Sequence, residues 1–235
     1  MWWVLAMMAH PEIPKRAQDE LDVVVGRFRP PTFADGPNLP YIQAMVKEAL
    51  RWRAAVSLGA PHLSTEDDWY EGMFIPKGTM CFANLWQCNL DPAFYGDDAA
   101  EFNPGRFLDE HGRLIPGPVE TRDEGHSTYG FGRRACVGKH AANDSLFISM
   151  ATVLWAVRLE CPRDEGGKEV PLDRETAVDL GTVLYATVIY LVMFVTGFEF
   201  RLMVSSRPVP YRCNATPRFA EAASLLAEQM ELMKA

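Results

Sequence analysis

A glycine-rich loop that leads directly into a long apolar repeat constrains the fold of this chain more than any other feature. Residues 129–138 read Tyr-Gly-Phe-Gly-Arg-Arg-Ala-Cys-Val-Gly, and the glycines favour an irregular loop over a helix or a strand. Directly after the loop, apolar residues recur at steps of three and four, which predicts a helix. The residues of this stripe are Ala142, Leu146, Met150, Val153 and Val157. The loop is therefore expected to end at the N-terminus of a helix.

Cys136 lies near the end of this loop, in surroundings that suit a thiolate bound to a flat metal cofactor. The positive end of a helix dipole favours the anionic form of a nearby thiol. Gly130, Gly132 and Gly138 let the backbone approach a planar ligand closely. Arg134 offers a fork of donors to an anionic group such as a carboxylate. An arbitrary cysteine is more often a small buried hydrophobe, but the glycines and the arginine at these offsets favour the ligand role.

The overall composition describes an ordinary globular protein and argues against some partners. Hydrophobic residues make up 48% and charged residues 23% of the 235 residues, which is typical of a folded domain. The net charge of −8, without a basic cluster, argues against a nucleic-acid partner. The five cysteines form an odd set that lacks the paired spacings of zinc and redox motifs. We therefore expect a reducing compartment and mostly structural thiols.

Two further helices are predicted in the first quarter of the chain. The first begins near Glu12 and ends at Gly26, and the second begins at Pro40. Within the second helix, Glu48 and Arg51 are three residues apart, so their side chains lie on one face and can pair. An exposed pair of this kind contributes under about 1 kcal/mol, and the spacing is common by chance. These two residues alone leave the role of the pair open.

Short strands are predicted between these helices and the cysteine loop. Apolar segments around His62 and over Trp69–Thr79 are interrupted by glycine turns, which favours small β-hairpins. His126 and His140 flank the cysteine loop. We expect both histidines to face solvent and not to bind iron, because two ligands do not make a metal site.

The cysteine loop resembles the heme-binding loop of the cytochrome P-450 family, which has the pattern F-x-x-G-x-R-x-C-x-G. Gly132, Arg134, Cys136 and Gly138 fall on its required positions, and Tyr129 stands where phenylalanine is usual. The resemblance implies that Cys136 is the axial thiolate ligand of the iron of heme b, and that Arg134 holds a heme propionate. Tyr129 keeps the aromatic ring of this position but adds a hydroxyl group that needs a partner.

Further motifs extend the resemblance beyond the loop. Glu48 and Arg51 match the E-x-x-R pair that the family carries on a helix some 85 residues before the cysteine, as here. Phe102–Phe107 matches the F-x-P-x-R-F segment, which supplies Arg106 as a third member. By resemblance, the carboxylate and the two guanidinium groups form a structural core beneath the heme. His62 aligns with a family position that contacts a propionate.

The resemblance implies a mainly α fold with small β-sheets, an α+β class, and one partial domain over residues 1–235. The resemblance covers only the C-terminal part of the family's fold, and complete members are considerably longer. We therefore expect the N-terminal membrane anchor, the substrate-recognition loops and the distal acid–alcohol pair to be missing from this chain. No residue here is expected to act as a catalytic acid or base. The amino-acid sequence around residues 66–72 resembles that of fungal members of the family.

An uncharged segment near the C-terminus does not fit the family pattern. Leu180–Phe198 carries no charged residue and is long enough to span a bilayer. Residues 176–196 are predicted to be an insertion, and three interpretations remain open. In the first, the segment is sequence that the mature protein lacks, such as translated intron. In the second, it is an added helix or strand pair that packs on the fold, and in the third it is a membrane span. A span would separate the residues that follow it from the rest of the fold.

At the level of function, the resemblance implies a heme monooxygenase that inserts one oxygen atom from O2 into a small apolar organic substrate. Electrons would come from NADPH through cytochrome P-450 reductase. The parent protein is expected to associate with the endoplasmic reticulum membrane on its cytoplasmic face. The alternative is a truncated, non-catalytic fragment that binds heme weakly or not at all. A small membrane protein anchored by residues 180–198 is a third interpretation.

Overall fold

The computed structural model describes residues 2–118, 121–170, 186–193, 198–204 and 212–232. These ranges contain α-helices, short 3₁₀ turns and two-stranded sheets. The helices are α1 (Trp2–Ala9), α2 (Glu12–Val24), α3 (Pro40–Trp52), α4 (Leu85–Asn89), α5 (Pro92–Tyr95), α6 (Lys139–Ala156) and α7 (Ala222–Leu232). The 3₁₀ turns are Phe33–Asn38, Pro104–Phe107 and Gly132–Arg134.

The strands pair antiparallel, two by two. They are β1 (His62–Leu63), β2 (Asp68–Tyr70), β3 (Met73–Ile75), β4 (Met80–Cys81), β5 (Val157–Glu160), β6 (Ala186–Met193), β7 (Phe198–Val204) and β8 (Asn214–Pro217). The pairs are β1 with β4, β2 with β3, β5 with β8, and β6 with β7. Helices with small antiparallel sheets confirm the predicted α+β class.

The hydrophobic core lies among α1, α2, α3 and α6. Leu21, Ile42, Met45 and Leu154 are fully buried there, and each such side chain contributes about 1.5–3 kcal/mol through removal from water. Trp155 is also fully buried, and its indole N–H donates to the carbonyl oxygen of Gly26 at 2.7 Å. This bond ties the end of α6 to the residue that ends the α2 segment, as the sequence predicted for Gly26.

The inward face of α6 differs from the predicted one. Phe147, Met150, Ala151 and Leu154 are buried, whereas most of the predicted stripe is only partly buried and Val157 already belongs to β5. The helix packs against both α2 and α3, so its apolar surface is wider than a single stripe. The prediction that a helix follows the loop is confirmed. The predicted buried face of that helix was wrong, because the buried residues are shifted by about one position from the predicted stripe.

A glutamate from α2 fixes the start of α3. The carboxylate of Glu20 accepts hydrogen bonds from the backbone N–H groups of Tyr41 and Ile42, at 2.9 and 3.2 Å. The first N–H groups of a helix lack partners within the helix, so this contact satisfies two of them. Burial raises the pKa of Glu20 above its ordinary value, although both hydrogen bonds oppose that shift. The contact fixes α3, which carries Glu48 and Arg51, against α2.

The uncharged segment is only partly within the described residues. Its strand β6 pairs with β7, and Ala186 lies opposite Val204. Residues 176–185 and 194–196 lie outside the described residues. Whether residues 176–196 are an insertion stays a prediction. Among the helices that the structure describes, none is both long enough and apolar enough to span a bilayer.

Candidate functional site

The predicted ion-pair core is present and buried. Arg51 donates to both carboxylate oxygens of Glu48, at 2.6 and 2.8 Å, and neither side chain is accessible to solvent. Arg106 donates to the same carboxylate from Nε at 3.2 Å. The backbone N–H of Asn103 adds a further bond to Glu48 at 2.7 Å. One buried carboxylate therefore accepts from two guanidinium groups and from the backbone.

Every donor of Arg51 has an acceptor. Nε and one hydrogen of Nη2 bond to Glu48, and the remaining hydrogens bond to the backbone carbonyl oxygens of Asn89, Ala99 and Glu101 at 2.6–3.0 Å. Complete satisfaction offsets the cost of removing the guanidinium from water. These acceptors come from α4 and the segment after α5, so one side chain of α3 holds together parts of the chain that are far apart in sequence.

Asn89 connects this core to the segment that leads into the cysteine loop. Its backbone carbonyl accepts from Arg51, while its side chain reaches the other way. Oδ1 accepts from the backbone N–H of Ser127 at 2.7 Å, and Nδ2 donates to the hydroxyl of Thr128 at 2.9 Å. The Thr128 hydroxyl in turn donates to the carbonyl oxygen of Leu50 at 2.7 Å. Tyr129, the first residue of the loop, directly follows these anchored residues.

The loop itself is closed by one backbone bond. The N–H of Cys136 donates to the carbonyl oxygen of Tyr129 at 2.8 Å. Cys136 is exposed and lies three residues before the first residue of α6, as the sequence predicted. The N-terminus of an 18-residue helix carries a partial positive charge, which favours an anion at this place.

Two glycines of the cysteine loop have open space around them. Gly130 and Gly132 have φ of +71° and +57°, and a Cβ built on either would meet no atom within 4 Å. Gly138 differs, because its φ is −86° and a Cβ there would lie 3.8 Å from Sγ of Cys136. The left-handed conformation alone favours glycine at the first two positions. The open space on the same residues admits a group that lies flat against the backbone.

The donor set and the surface of the loop fit heme. A single exposed thiol offers one soft ligand, which is what a heme iron takes from the protein on one side. Val137 is fully exposed and Phe131 is 42% exposed, so apolar side chains next to the thiol lie uncovered. A flat apolar group with a central metal would cover these side chains and fill the space before the glycines. The residues present therefore suit the cofactor that the sequence implied.

The two predicted propionate ligands are both exposed, and they lie on different elements. Arg134 ends the 3₁₀ turn within the loop. His62 lies on β1, where it pairs with Cys81 of β4. Within the described residues, no hydrogen bond or ion pair joins His62 to the loop. Their roles stay predictions, since each side chain is free to meet an anionic group but neither is held by the other.

The hydroxyl of Tyr129 has the partner that the sequence called for. It donates to Oδ1 of Asn143, on α6, at 2.6 Å. Nδ2 of Asn143 donates to the carboxylate of Glu124 at 3.0 Å, and the ammonium group of Lys139 lies 3.0 Å from that carboxylate. Burial raises the pKa of Tyr129 well above its ordinary value, so the hydroxyl stays protonated and acts as a donor.

The prediction that both flanking histidines face solvent was wrong for one of them. His140 is exposed as expected, but His126 is buried with 1% of its surface accessible. Its Nδ1 accepts from the backbone N–H of Thr128 at 3.3 Å, and its ring packs against the ring of Tyr129 with centroids 5.2 Å apart. Burial lowers the pKa of His126 from 6.5 to about 3. The polar segment before it gave no sign that this residue folds under the loop.

The expectation of mostly structural thiols was also wrong. Four of the five cysteines are exposed, and Cys161 is buried. The exposed four are Cys81 on β4, Cys88 on α4, and Cys136 and Cys213 in loops. Exposure therefore does not single out Cys136, and its place before α6 and beside two left-handed glycines does.

Sequence reasoning missed the polar residues that join the site together. Asn89, Thr128, Asn143 and Glu124 are ordinary surface residue types, and no spacing relates them. The only signal was the hydroxyl of Tyr129, which needed a hydrogen-bond partner, but the sequence did not indicate which residue that partner is. Their roles appear once α3, α4 and α6 are packed.

Comparison with known proteins agrees with this geometry. The sequence model of the family described as Cytochrome P450 matches residues 1–179. A cytochrome P450 monooxygenase of Armillaria gallica is 51% identical over 232 residues, which are 99% of this chain and 40% of that protein. Cytochrome P450 monooxygenase 58 of Postia placenta is 45% identical over 225 residues, 96% of this chain and 38% of that protein.

A more distant relative shows the same coverage. Cytochrome P450 monooxygenase iboC of Amanita muscaria is 38% identical over 277 aligned positions, which cover 98% of this chain and 45% of that protein. The chain thus spans about two fifths of the length of these curated relatives. All three come from fungi, as the sequence around residues 66–72 predicted. With a family match over three quarters of its length and such identities over nearly all of it, this chain belongs to the cytochrome P450 family.

Proposed function

We propose that this chain forms the thiolate side of a heme monooxygenase that inserts one oxygen atom from O2 into a small apolar organic substrate. The observation that carries the proposal is the exposed thiol of Cys136, set before α6 and beside the open, left-handed Gly130 and Gly132. Membership of the cytochrome P450 family and the monooxygenase names of the relatives support it.

Three side chains would hold heme b. Cys136 would bind the iron through its sulfur, and Arg134 and His62 would hold the propionates with their cationic or hydrogen-bonding heads. When bound, the heme would supply the O2 chemistry, and the protein would supply its sulfur ligand. The start of α6, which carries a partial positive charge, lies three residues after this ligand.

The ion-pair core would keep this loop in place. Asn89 and Tyr95 link the three side chains of this core to the segment before the loop, so the role of the core is structural and not catalytic. A network in which every donor of Arg51 is satisfied has one favoured arrangement, which makes the support beneath the loop rigid. Rigid support holds a metal ligand close to its bonding position before the metal binds.

The finer parts of the proposal concern electrons and location. We propose NADPH as the electron source, through cytochrome P450 reductase, and the cytoplasmic face of the endoplasmic reticulum membrane as the site of the parent protein. Family membership supports a redox partner, and the location rests on the resemblance of residues 66–72 to fungal members. Fractionation of the native source, with and without carbonate extraction, tests the location, and recovery of the chain only in the soluble fraction would contradict it.

Heme binding is tested by titrating the purified chain with hemin, reducing it and adding carbon monoxide. A thiolate-ligated heme gives the red-shifted Soret band that lends the family its name. Cys136→Ala should abolish that band, while Cys88→Ala, at another exposed cysteine, should leave it unchanged. No Soret band in the unmodified chain would favour the alternative, a fragment that binds heme weakly or not at all. A red-shifted band in Cys136→Ala would mean that another residue is the ligand.

A further inference from the structure

Tyr129 is held at three points, and one of them is the bond that closes the cysteine loop. Its carbonyl oxygen accepts from the N–H of Cys136 at 2.8 Å. Its ring packs against the buried ring of His126 at a centroid distance of 5.2 Å and an angle of 54°. Its hydroxyl donates to Oδ1 of Asn143 at 2.6 Å. Any change in the position of Tyr129 is therefore transmitted to the backbone of Cys136.

The third point of attachment extends into a charged network on α6. Nδ2 of Asn143 donates to one oxygen of Glu124 at 3.0 Å, and Lys139 lies 3.0 Å from the other oxygen. Burial opposes ionisation of Glu124, but the hydrogen bond from Asn143 and the ammonium of Lys139 outweigh it, so the pKa of this carboxyl lies below its ordinary value. A carboxylate accepts only, so it fixes the amide of Asn143 with Nδ2 towards Glu124 and Oδ1 towards Tyr129.

We propose that Tyr129 is a positioning residue for Cys136, which it holds through the hydroxyl bond to Asn143. This proposal rests on the proposed function, in which Cys136 is the axial ligand. The phenylalanine usual at this position in the family fills the same space without a hydroxyl group. In this chain the hydroxyl joins Tyr129, the first residue of the loop, to Asn143 on α6. The bond therefore couples the loop to the helix that follows it.

The test compares Tyr129→Phe with Asn143→Ala and the double variant, and uses Tyr70→Phe as the control. Tyr70 lies exposed on β2, so the control removes a hydroxyl group at a site outside the network. The first readout is hydrogen–deuterium exchange of the Cys136 amide in the heme-free chain, followed on peptides that span residues 129–138. The second is the fraction of the hemin-loaded, reduced, carbon-monoxide-bound chain that absorbs at the thiolate position.

Each single variant should accelerate exchange of the Cys136 amide about fivefold, the factor expected for loss of one neutral hydrogen bond. The double variant should exchange no faster than either single variant, because both remove the same bond. The fraction of thiolate-ligated heme should fall in the same variants and should not change in Tyr70→Phe. Unchanged exchange in Tyr129→Phe, or effects that multiply in the double variant, would overturn the positioning role.

The two readouts separate this proposal from the proposed function. A chain that takes up no hemin, but whose Cys136 amide responds to Tyr129→Phe, overturns heme binding and supports the positioning of Cys136. A chain with thiolate-ligated heme, in which neither readout responds to Tyr129→Phe, supports the proposed function and overturns the positioning role. Asn143→Ala gives the same comparison if Tyr129→Phe does not fold.

Discussion

Asn89, which is inaccessible to solvent, donates from its side-chain amide to the hydroxyl of Thr128 at 2.9 Å. The same side chain accepts from the N–H of Ser127, and the backbone carbonyl of Asn89 accepts from Arg51. One buried residue thus uses both ends of its side chain and its main chain to join the ion-pair core to the cysteine loop.

Asn89→Asp should lower the free energy of unfolding by about 3 kcal/mol, because a buried carboxylate cannot donate to Thr128 and lacks a cation of its own. Urea unfolding followed by circular dichroism measures the change. Asn84→Asp is the matched control in the same short helix, since Asn84 only accepts from the N–H of Gln87 at the N-cap. Aspartate caps as well as asparagine, so this control should change little. Equal losses in the two variants would contradict the bridging role of Asn89.

Glu48→Gln should lower the free energy of unfolding by about 3–5 kcal/mol. The amide leaves Arg51 buried without a counterion and Arg106 with Asp98 alone, and it turns one acceptor into a donor. Thermal unfolding measures the loss, and limited proteolysis reports it if the variant does not fold. Glu110→Gln, at a side chain that is 86% exposed, should change stability by less than about 0.5 kcal/mol. Stability of Glu48→Gln within that range would show that the core does not hold the fold.

Gly132→Ala separates backbone strain from the space that heme would fill. In the heme-free chain, alanine should cost about 1–2 kcal/mol of stability, because φ is +57° and no atom lies near the new methyl group. Gly112→Ala is the matched control, with φ of +74° and the same open surroundings in a loop away from Cys136. Both variants should lose similar stability. Only Gly132→Ala should also weaken hemin binding, by about tenfold or more, because its methyl group would prevent close contact between the backbone and the heme. Equal hemin affinity in the two variants would remove the loop glycines from the heme site.

His126→Phe should flatten the dependence of stability on pH. The folded chain keeps His126 neutral down to about pH 3, whereas the unfolded chain binds a proton below about 6.5. Stability from this group is therefore complete above pH 6.5 and falls by about 1.4 kcal/mol per pH unit below it. Between pH 7 and pH 5, the unmodified chain should lose about 2 kcal/mol more than His126→Phe, measured by urea unfolding at each pH. The exposed His140→Phe should keep the original slope, and an unchanged slope in His126→Phe would place this ring in contact with water.

Short-range patterns predicted much of the fold and the residues that carry the site. The helices around Glu48 and after Cys136 follow from apolar periodicity, and the ion-pair core follows from three residues at family spacings. His126 could not be predicted, because its burial depends on how the segment before the loop folds against α3 and α6. The same holds for Asn89, whose three hydrogen bonds join segments up to about forty positions apart. Tertiary packing, which no local pattern encodes, decides both.

The pairing of β5 with β8 sets Glu160 directly opposite Asn214, so the connection over residues 161–213 begins and ends at adjacent points. The entropy of closing a chain between fixed ends rises only with the logarithm of its length, and each doubling costs about 0.6 kcal/mol. Evolution can therefore lengthen or shorten this connection at almost no thermodynamic penalty. The interval between Arg51 and Cys136 has no such freedom, because Asn89 ties its interior to both ends. Length variation among relatives should accordingly concentrate after Glu160.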